Sequence, residues 1–206
     1  MSAATTSIPA CAFSGTSWSS EMRTFIAIEI SEEIRDNLSA NQERLKKTDA
    51  KVRWVKPGRI HLTLKFLGEI DDTQCELVTE ALKEIVESAP PFRLEIQGLG
   101  GFPNMRRPSV IWAGVRNGND DVTALAEQVE DALHGLDFPK EKRPFAPHLT
   151  IGRVKSKRGI EPLSSQIEDD SEVSFGEFQV SEIVLFKSDL SPAGPTYSAL
   201  GRFLLH

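Results

Sequence analysis

The stretch His61-Leu62-Thr63-Leu64-Lys65-Phe66-Leu67-Gly68 is repeated in outline by His148-Leu149-Thr150-Ile151-Gly152-Arg153-Val154. In both stretches a histidine and a threonine alternate with apolar residues, which is the period-two pattern of a half-buried strand. Successive side chains of a strand point to opposite faces, so His61, Thr63 and Lys65 are expected to share one face. Two strands that each carry an imidazole and a hydroxyl on one face indicate a shared polar site.

The composition is that of a soluble globular protein. Its 206 residues are 39% hydrophobic and 26% charged, enough for one or two compact lobes. The net charge of −6 argues against a general nucleic-acid coat protein, because non-specific phosphate binding needs a basic surface. Seven basic residues and one acid nevertheless lie between Lys140 and Arg158, around the second motif. This local charge is either a solvated loop on each side of a strand or a site for an anionic ligand.

Cys11 and Cys75 are the only cysteines, so no disulfide framework is expected and a cytoplasmic location is favoured. No window approaches the roughly 18 consecutive apolar residues of a membrane span, so no membrane association is predicted. Residues 1–21 are rich in Ser, Thr and Ala and have no periodicity. We interpret them as a disordered extension ahead of a single domain, residues 22–206. A targeting peptide is less favoured because the segment has no arginine.

Hydrophobic periodicity predicts helices over residues 31–47, 73–88, 121–134 and 160–169, and further strands over residues 23–30, 51–55, 92–97, 110–115, 173–187 and 196–205. Ser31 should cap the first helix, and Thr73 with Glu76 should form a capping box on the second. No regular βαβ alternation with a Gly-rich phosphate loop is present. We therefore predict an α+β fold that is bilobal and pseudo-symmetric, with two antiparallel sheets facing a central cleft and helices packed on the outside.

Two imidazoles facing one cleft suit general acid–base catalysis, because the unperturbed pKa of histidine lies near neutral pH. One imidazole can take a proton from water while the other donates a proton to a leaving oxygen. Thr63 and Thr150 would donate hydrogen bonds to non-bridging oxygens, and Lys65 and Arg153 would offset charge on a transferring phosphoryl group. No metal is expected, because a zinc site needs three protein ligands and neither motif offers a second histidine. These parts predict metal-free hydrolysis of a phosphodiester, particularly a cyclic one.

Arg153 presents a geometric problem, because strict alternation places it on the face opposite His148 and Thr150. Either Gly152 permits a bulge that re-aims the chain, or the long arginine side chain reaches around the strand end. An Arg153 buried among ion pairs far from both histidines would exclude a role at the site.

The paired motifs His61-Leu-Thr-Leu and His148-Leu-Thr-Ile resemble those of the two-histidine phosphoesterase superfamily. Three stretches are similar to its RNA 2′,3′-cyclic phosphodiesterase branch, also called the 2′-5′ RNA ligase family: Arg23-Thr-Phe-Ile-Ala-Ile, Lys65-Phe-Leu-Gly-Glu69 and Phe145-Ala-Pro-His-Leu-Thr-Ile-Gly-Arg153. The resemblance runs from Met22 to the C-terminus, including Tyr197-Ser-Ala-Leu200, and leaves out residues 1–21.

The resemblance implies an enzyme that opens a 2′,3′-cyclic phosphate at an RNA 3′ end and leaves a 2′-phosphate, without a metal or organic cofactor. On the matching positions, His61 would be the proton donor to the departing 3′ oxygen, and His148 the acceptor that activates water. Thr63 and Thr150 would bind phosphate oxygens, and Arg153 would contact the phosphate. Three alternatives stay open: 2′-5′ RNA ligation, hydrolysis of a small cyclic nucleotide, and RNA-end binding without chemistry.

The implied partner is an RNA 3′ end bearing a cyclic phosphate, as in tRNA processing, and we expect the enzyme to act as a monomer. Four aromatic residues are candidates to stack a terminal base, although core packing competes with stacking as an explanation for each: Phe102, Trp112, Phe145 and Tyr197. Of these, Phe145 and Tyr197 are predicted, together with Lys65, to bind substrate.

Overall fold

The computed structural model describes residues 21–156, 158–192 and 194–206. Within these residues it contains nine strands and four α-helices. The strands are β1 (Met22–Glu29), β2 (Val52–Trp54), β3 (His61–Ile70), β4 (Phe92–Phe102), β5 (Val110–Val115), β6 (His148–Val154), β7 (Ser174–Val180), β8 (Glu182–Asp189) and β9 (Thr196–Leu204). The helices are α1 (Glu32–Leu45), α2 (Asp72–Val86), α3 (Asn119–His134) and α4 (Ile160–Asp169). The predicted extension, apart from Glu21, lies outside the described residues.

Helix α1 begins where the sequence predicts. The hydroxyl of Ser31 accepts a hydrogen bond from the Ile34 amide at 3.3 Å and so satisfies one of the free N–H groups of the first turn. The apolar residues Ile34, Leu38 and Leu45 of this helix are fully buried. The predicted cap is confirmed.

Helix α2 is capped differently from the prediction. Asp71 is its N-cap. The Asp71 carboxylate accepts a hydrogen bond from the Gln74 backbone N–H at 2.8 Å, and the Gln74 side-chain oxygen accepts one from the Asp71 backbone N–H at 3.1 Å. The capping box predicted for Thr73 and Glu76 is therefore wrong, because a carboxylate two residues earlier already occupies the cap. The buried side of the helix is formed by Val78, Leu82, Ile85 and Val86, and Leu77 is exposed.

The nine strands form one continuous sheet in the order β7-β4-β5-β6-β3-β1-β8-β9, with β2 added beside β6. All pairings found among the described strands are antiparallel. The two four-stranded halves meet where β3 lies next to β6, at the single cross-strand pair Leu62 and Leu149. The predicted antiparallel α+β architecture is confirmed, with one difference: the two predicted sheets are halves of one continuous sheet, because the two motif strands pair and join them.

The two halves repeat one arrangement around the motifs. In the first half, β1 leads through α1 to β3, which returns antiparallel beside β1. In the second half, β5 leads through α3 to β6, which returns antiparallel beside β5. Each motif strand therefore has the same neighbours in its own half, and this repetition gives the fold its predicted pseudo-symmetry.

The strand predicted over residues 173–187 is wrong in one respect. The chain forms two strands there, β7 and β8, which meet at Ser181 and lie in opposite halves of the sheet. Strand β7 pairs with β4, whereas β8 pairs with β1 and β9. Period-two alternation runs through both segments, so only the long-range pairing separates them.

The main hydrophobic core lies between the helices and one face of the sheet. Leu62 and Leu149 are fully buried in it, and each such burial contributes about 1.5–3 kcal/mol to folding. The core face of the motif strands is thus firmly anchored, and alternation turns their polar residues to the opposite face. Among the described residues, no helix is both long enough and apolar enough to cross a membrane.

Candidate active site

Four polar side chains of the two motifs lie together on the sheet face opposite the main core. Because Leu62 and Leu149 pair directly and point into the core, their neighbours His61, Thr63, His148 and Thr150 share the other face. The antiparallel register also sets each histidine across from the threonine of the other strand. The sequence prediction of one shared polar site is therefore supported by the pairing of the two strands.

Strand β3 carries a β-bulge directly after its motif threonine. Thr63 pairs with Ala27 and Lys65 pairs with Ile26, so Leu64 is an extra residue without a partner on β1. A bulge reverses the side of the sheet on which the following side chains fall. Lys65 consequently points to the core side, where Leu64 also lies.

The structure corrects the prediction that Lys65 binds substrate. Its side chain is 1% exposed, and its ammonium group donates to the Glu130 carboxylate of α3 at 2.6 Å and to the Pro139 carbonyl at 3.0 Å. Lys65 therefore ties β3 to α3 and to the chain after it. The alternation argument failed because it assumed a regular strand.

Strand β6 carries a bulge at the equivalent position. Thr150 pairs with Trp112 and Gly152 pairs with Ile111, which leaves Ile151 as the extra residue. The irregularity reverses the alternation after Ile151 just as it does after the corresponding residue of β3. The two motif strands thus share the bulge as well as the His-x-Thr pattern.

The bulge in β6 resolves the geometric problem of Arg153. Its side chain is exposed, and no carboxylate of the described residues forms an ion pair with it. The bulge is secured by the buried Gln42 of α1, whose amide donates to the carbonyls of Ile151 at 2.8 Å and Val55 at 2.9 Å. Sequence reasoning missed Gln42, because a polar residue within a helix pattern carries no signal of the strand that it supports.

Each histidine is oriented by the backbone two residues earlier. The Nδ1 of His61 lies 2.9 Å from the Arg59 carbonyl oxygen, and the Nδ1 of His148 lies 2.7 Å from the Ala146 carbonyl oxygen. A carbonyl oxygen only accepts, so Nδ1 carries the proton in both rings. The tautomer is thereby set, and Nε2 is the nitrogen available for proton transfer.

Aromatic rings from each half pack against its histidine. His61 stacks on Phe25 with ring centroids 4.8 Å apart and meets Tyr197 edge-on at 5.3 Å. His148 meets Phe102 edge-on at 5.2 Å and Trp112 at 6.4 Å. These contacts restrict both imidazoles to one orientation. They also place Tyr197, a predicted substrate-binding residue, directly beside the candidate site.

The hydroxyls of Thr63 and Thr150 remain available to a ligand. Both side chains are half-buried, and no protein group within the described part of the chain hydrogen-bonds to either hydroxyl. A half-buried hydroxyl that no protein group engages is a ready donor to an anionic oxygen.

Burial lowers the pKa of His61 to about 4, against weaker opposing effects of the Arg59 carbonyl and the Glu29 carboxylate. His61 is therefore a neutral imidazole at pH 7 in the free protein. A neutral imidazole accepts a proton more readily than it donates one, so this environment bears directly on its catalytic role.

The lowered pKa of His61 predicts that stability decreases in mild acid. In the unfolded chain histidine titrates near pH 6.5, so between about pH 6.5 and pH 4 the unfolded state binds more protons than the folded state. The free energy of unfolding contributed by neutral His61 is fully present above about pH 6.5. It is lost as the pH falls through about 4, by roughly 3 kcal/mol in total.

Urea unfolding from pH 7 to pH 4 measures this effect as the difference between wild type and His61→Gln. The difference should change by up to roughly 3 kcal/mol over that range. His134→Gln is the matched control, since His134 is exposed near the end of α3. Parallel pH profiles for wild type and His61→Gln would contradict the prediction.

A cluster of arginines surrounds Tyr197. Burial raises the pKa of the Tyr197 phenol, and four guanidinium groups act against that rise: Arg59, Arg153, Arg23 and Arg53. Three of these arginines lie outside the motifs and were not predicted. Arg53 belongs to β2, directly across from Arg153 of β6, so only strand pairing brings these charges together.

Phe145, predicted to bind substrate, is partly buried and packs against the main hydrophobic core. Core packing accounts for the buried part of this residue, and its role in substrate binding stays a prediction. In the residues that the structure describes, no group of three His, Cys, Asp or Glu side chains is arranged to hold a metal ion.

A family model for the 2′-5′ RNA ligase superfamily matches residues 29–192, which include both motif strands. The chain belongs to the 2′-5′ RNA ligase superfamily. The resemblance predicted from the two motifs and their flanks is confirmed. Tyr197 lies outside residues 29–192, which the family model matches, but the fold places its ring beside His61.

Curated relatives and solved structures agree with this membership. An RNA 2′,3′-cyclic phosphodiesterase of Methanothermobacter thermautotrophicus is 35% identical over 185 residues, covering 90% of this chain and 100% of that protein. An RNA 2′,3′-cyclic phosphodiesterase of Aquifex aeolicus is 40% identical over 168 residues, which cover 79% of this chain and 88% of that protein. A crystal structure from Thermus thermophilus superposes with a TM-score of 0.75 at 30% identity, covering 89% of this chain and 98% of that one.

The crystal structure of Escherichia coli LigT complexed with 3′-AMP shares the fold, with a TM-score of 0.74. The two sequences are 24% identical, and the superposition covers 90% of the chain described here and 99% of the LigT chain. The same arrangement of helices and sheet is thus kept at low sequence identity.

Proposed function

We propose that this chain hydrolyses 2′,3′-cyclic phosphates at RNA 3′ ends to 2′-phosphates by general acid–base catalysis. The observation that carries the proposal is the direct pairing of the two motif strands, which puts both histidines and both threonines on one face. The names of the relatives from Methanothermobacter and Aquifex support the same activity. The proposal includes one catalytic domain, residues 22–206, acting as a monomer in the cytoplasm on RNA such as tRNA fragments.

The proposed reaction needs two proton transfers. His148 Nε2 takes a proton from water as the water oxygen attacks phosphorus. The bond between phosphorus and the 3′ oxygen breaks, and a proton from His61 Nε2 converts that oxygen into a hydroxyl. The phosphate stays on the 2′ oxygen, and exchange with solvent restores both imidazoles.

The remaining groups stabilise the charge that develops on phosphorus oxygens. Thr63 and Thr150 donate hydrogen bonds to the non-bridging oxygens, and Arg153 supplies a positive charge beside them. Such preorganised donors act mainly on the transition state, because its oxygens carry more charge than those of the substrate.

A donor role for His61 requires that substrate binding change its protonation. Burial keeps the pKa of His61 at about 4 in the free protein, whereas a bound phosphate anion favours the charged imidazolium. The substrate therefore raises the pKa of the residue that must donate. In this scheme the buried imidazole becomes an acid when an anionic ligand occupies the site.

Product analysis in excess chelator tests the proposal. An RNA oligonucleotide ending in a 2′,3′-cyclic phosphate should be hydrolysed at the same rate with and without EDTA, since no proposed step uses a metal. Phosphorus NMR or chromatography should show only 2′-phosphate. Inhibition by EDTA would contradict metal-independent catalysis, and a 3′-phosphate product would show that the 2′ oxygen leaves instead.

A second candidate is 2′-5′ ligation, which the description of the superfamily favours. A 5′-hydroxyl of a second RNA would take the place of water and would give up its proton to the same histidine. Incubation with an acceptor oligonucleotide bearing a 5′-hydroxyl distinguishes the two, because ligation lengthens the chain while hydrolysis does not.

A further inference from the structure

The arginines near Tyr197 form a concentration of positive charge that strand pairing enforces. Arg53 of β2 and Arg153 of β6 are direct cross-strand partners. Like charges directly opposite each other in a sheet are destabilising. The arrangement is therefore unfavourable for the free protein, and a bound anion would remove that cost.

Arg59 joins this pair from the turn that precedes the first motif. Gly194 is buried, and a Cβ built there would lie 2.7 Å from Arg59 Nη1 and 3.3 Å from Arg53 Nη2. The two guanidinium groups thus converge on one short segment of backbone. The carbonyl of Arg59 also orients the His61 ring, so the turn connects the arginine cluster to the candidate catalytic site.

Within the described part of the chain, no carboxylate forms an ion pair with Arg53, Arg59 or Arg153, although the chain contains 30 acidic residues. Other arginines are paired, as Arg93 is with Glu177. Unneutralised guanidinium groups held together by the fold are suited to binding phosphate, because their planar donors match its oxygens.

We propose that Arg53 and Arg59 form a subsite for a second, non-scissile phosphate: the internucleotide phosphate on the 5′ side of the terminal nucleotide. The inference rests on the proposed function, which assigns the scissile phosphate to the threonines and Arg153. Arg53 of β2 lies directly across from Arg153 of β6, and the long arginine side chains let their guanidinium groups bind two phosphates that are one nucleotide apart. The site therefore selects the end of an RNA chain over a nucleoside 2′,3′-cyclic phosphate.

Two dinucleotides that end in a 2′,3′-cyclic phosphate test the subsite. One has a normal internucleotide phosphate and the other an uncharged methylphosphonate in its place. Wild type should favour the charged dinucleotide by roughly tenfold or more in kcat/KM, the effect of a charge-assisted hydrogen bond. Arg53→Gln and Arg59→Gln should hydrolyse the two substrates with nearly equal kcat/KM.

Arg116→Gln is the matched control, because Arg116 is exposed and pairs with Glu172 away from the motifs. It should keep the full preference for the charged dinucleotide. Since Arg53 is exposed, Arg53→Gln decides the question even if Arg59→Gln unfolds. A wild type that treats both dinucleotides alike, or an Arg53→Gln variant that keeps the preference, would overturn the subsite.

Binding of the dinucleotide product, which ends in a 2′-phosphate, separates the subsite from the proposed reaction. Calorimetry at several salt concentrations should show weaker binding by Arg53→Gln. The slope of log K against log salt should be smaller by about 0.7, the value for one single-strand phosphate contact. If this change is found but no substrate is hydrolysed, the proposed function fails while the subsite stands. An unchanged slope would overturn the subsite whether or not hydrolysis occurs.

Discussion

Replacement of either motif histidine by alanine should lower kcat for a cyclic-phosphate oligonucleotide by roughly 100- to 10,000-fold, the usual contribution of general acid–base catalysis. His61 and His148 face the same side of the paired strands, and each has its Nδ1 held by a backbone carbonyl. In the proposed reaction their Nε2 atoms are the proton-transfer groups. KM should change little, because the threonines and Arg153, which the proposal assigns to phosphate binding, remain.

The double variant His61→Ala, His148→Ala should be little worse than either single variant, because residues that act in one proton-transfer sequence have non-additive effects. Steady-state kinetics on all three proteins measures this. His134→Ala is the control and should retain full activity, since His134 is exposed near the end of α3. Two single variants that lose less than about threefold each would contradict acid–base catalysis by this pair.

Removal of the Glu130 carboxylate should destabilise the fold by about 3–5 kcal/mol, because it leaves the buried ammonium of Lys65 without its counter-ion. Lys65 is 1% exposed and lies 2.6 Å from Glu130. Lys65→Met removes the buried charge and places an apolar side chain of similar length in the core. Its cost should be smaller than that of Glu130→Ala, and urea unfolding measures both.

The exposed pair Lys83 and Glu80 of α2 supplies the control. Glu80→Ala should change the free energy of unfolding by no more than about 0.5 kcal/mol, since exposed ion pairs contribute little. Lys65→Met should keep its kcat/KM for the cyclic-phosphate oligonucleotide, because Lys65 points to the core side of β3. A Lys65→Met variant that folds but is inactive would contradict this prediction and would indicate that Lys65 takes part in substrate binding.

The sequence alone determined most of the secondary structure and the identity of the motif residues. Alternation in the two His-x-Thr stretches identifies strands, and Ser31 marks the start of α1, because these signals act between residues a few positions apart. The same stretches also predicted the superfamily. The capping box of α2 was predicted at the wrong residues because an acidic and a hydroxyl cap candidate lie within three residues of each other. The acidic residue, Asp71, is the stronger cap.

Only the tertiary structure decided which side chains join the site. Whether a strand forms a bulge depends on its neighbouring strand. The positions of Lys65 and Arg153 after the motif threonines therefore do not reveal that Lys65 is buried on the core side while Arg153 is exposed. The arginine cluster likewise needs β2 beside β6, and Arg53 has no local pattern that marks it. Strand pairing is a contact between residues distant in sequence, and period-two patterning specifies a strand's faces without specifying its partner.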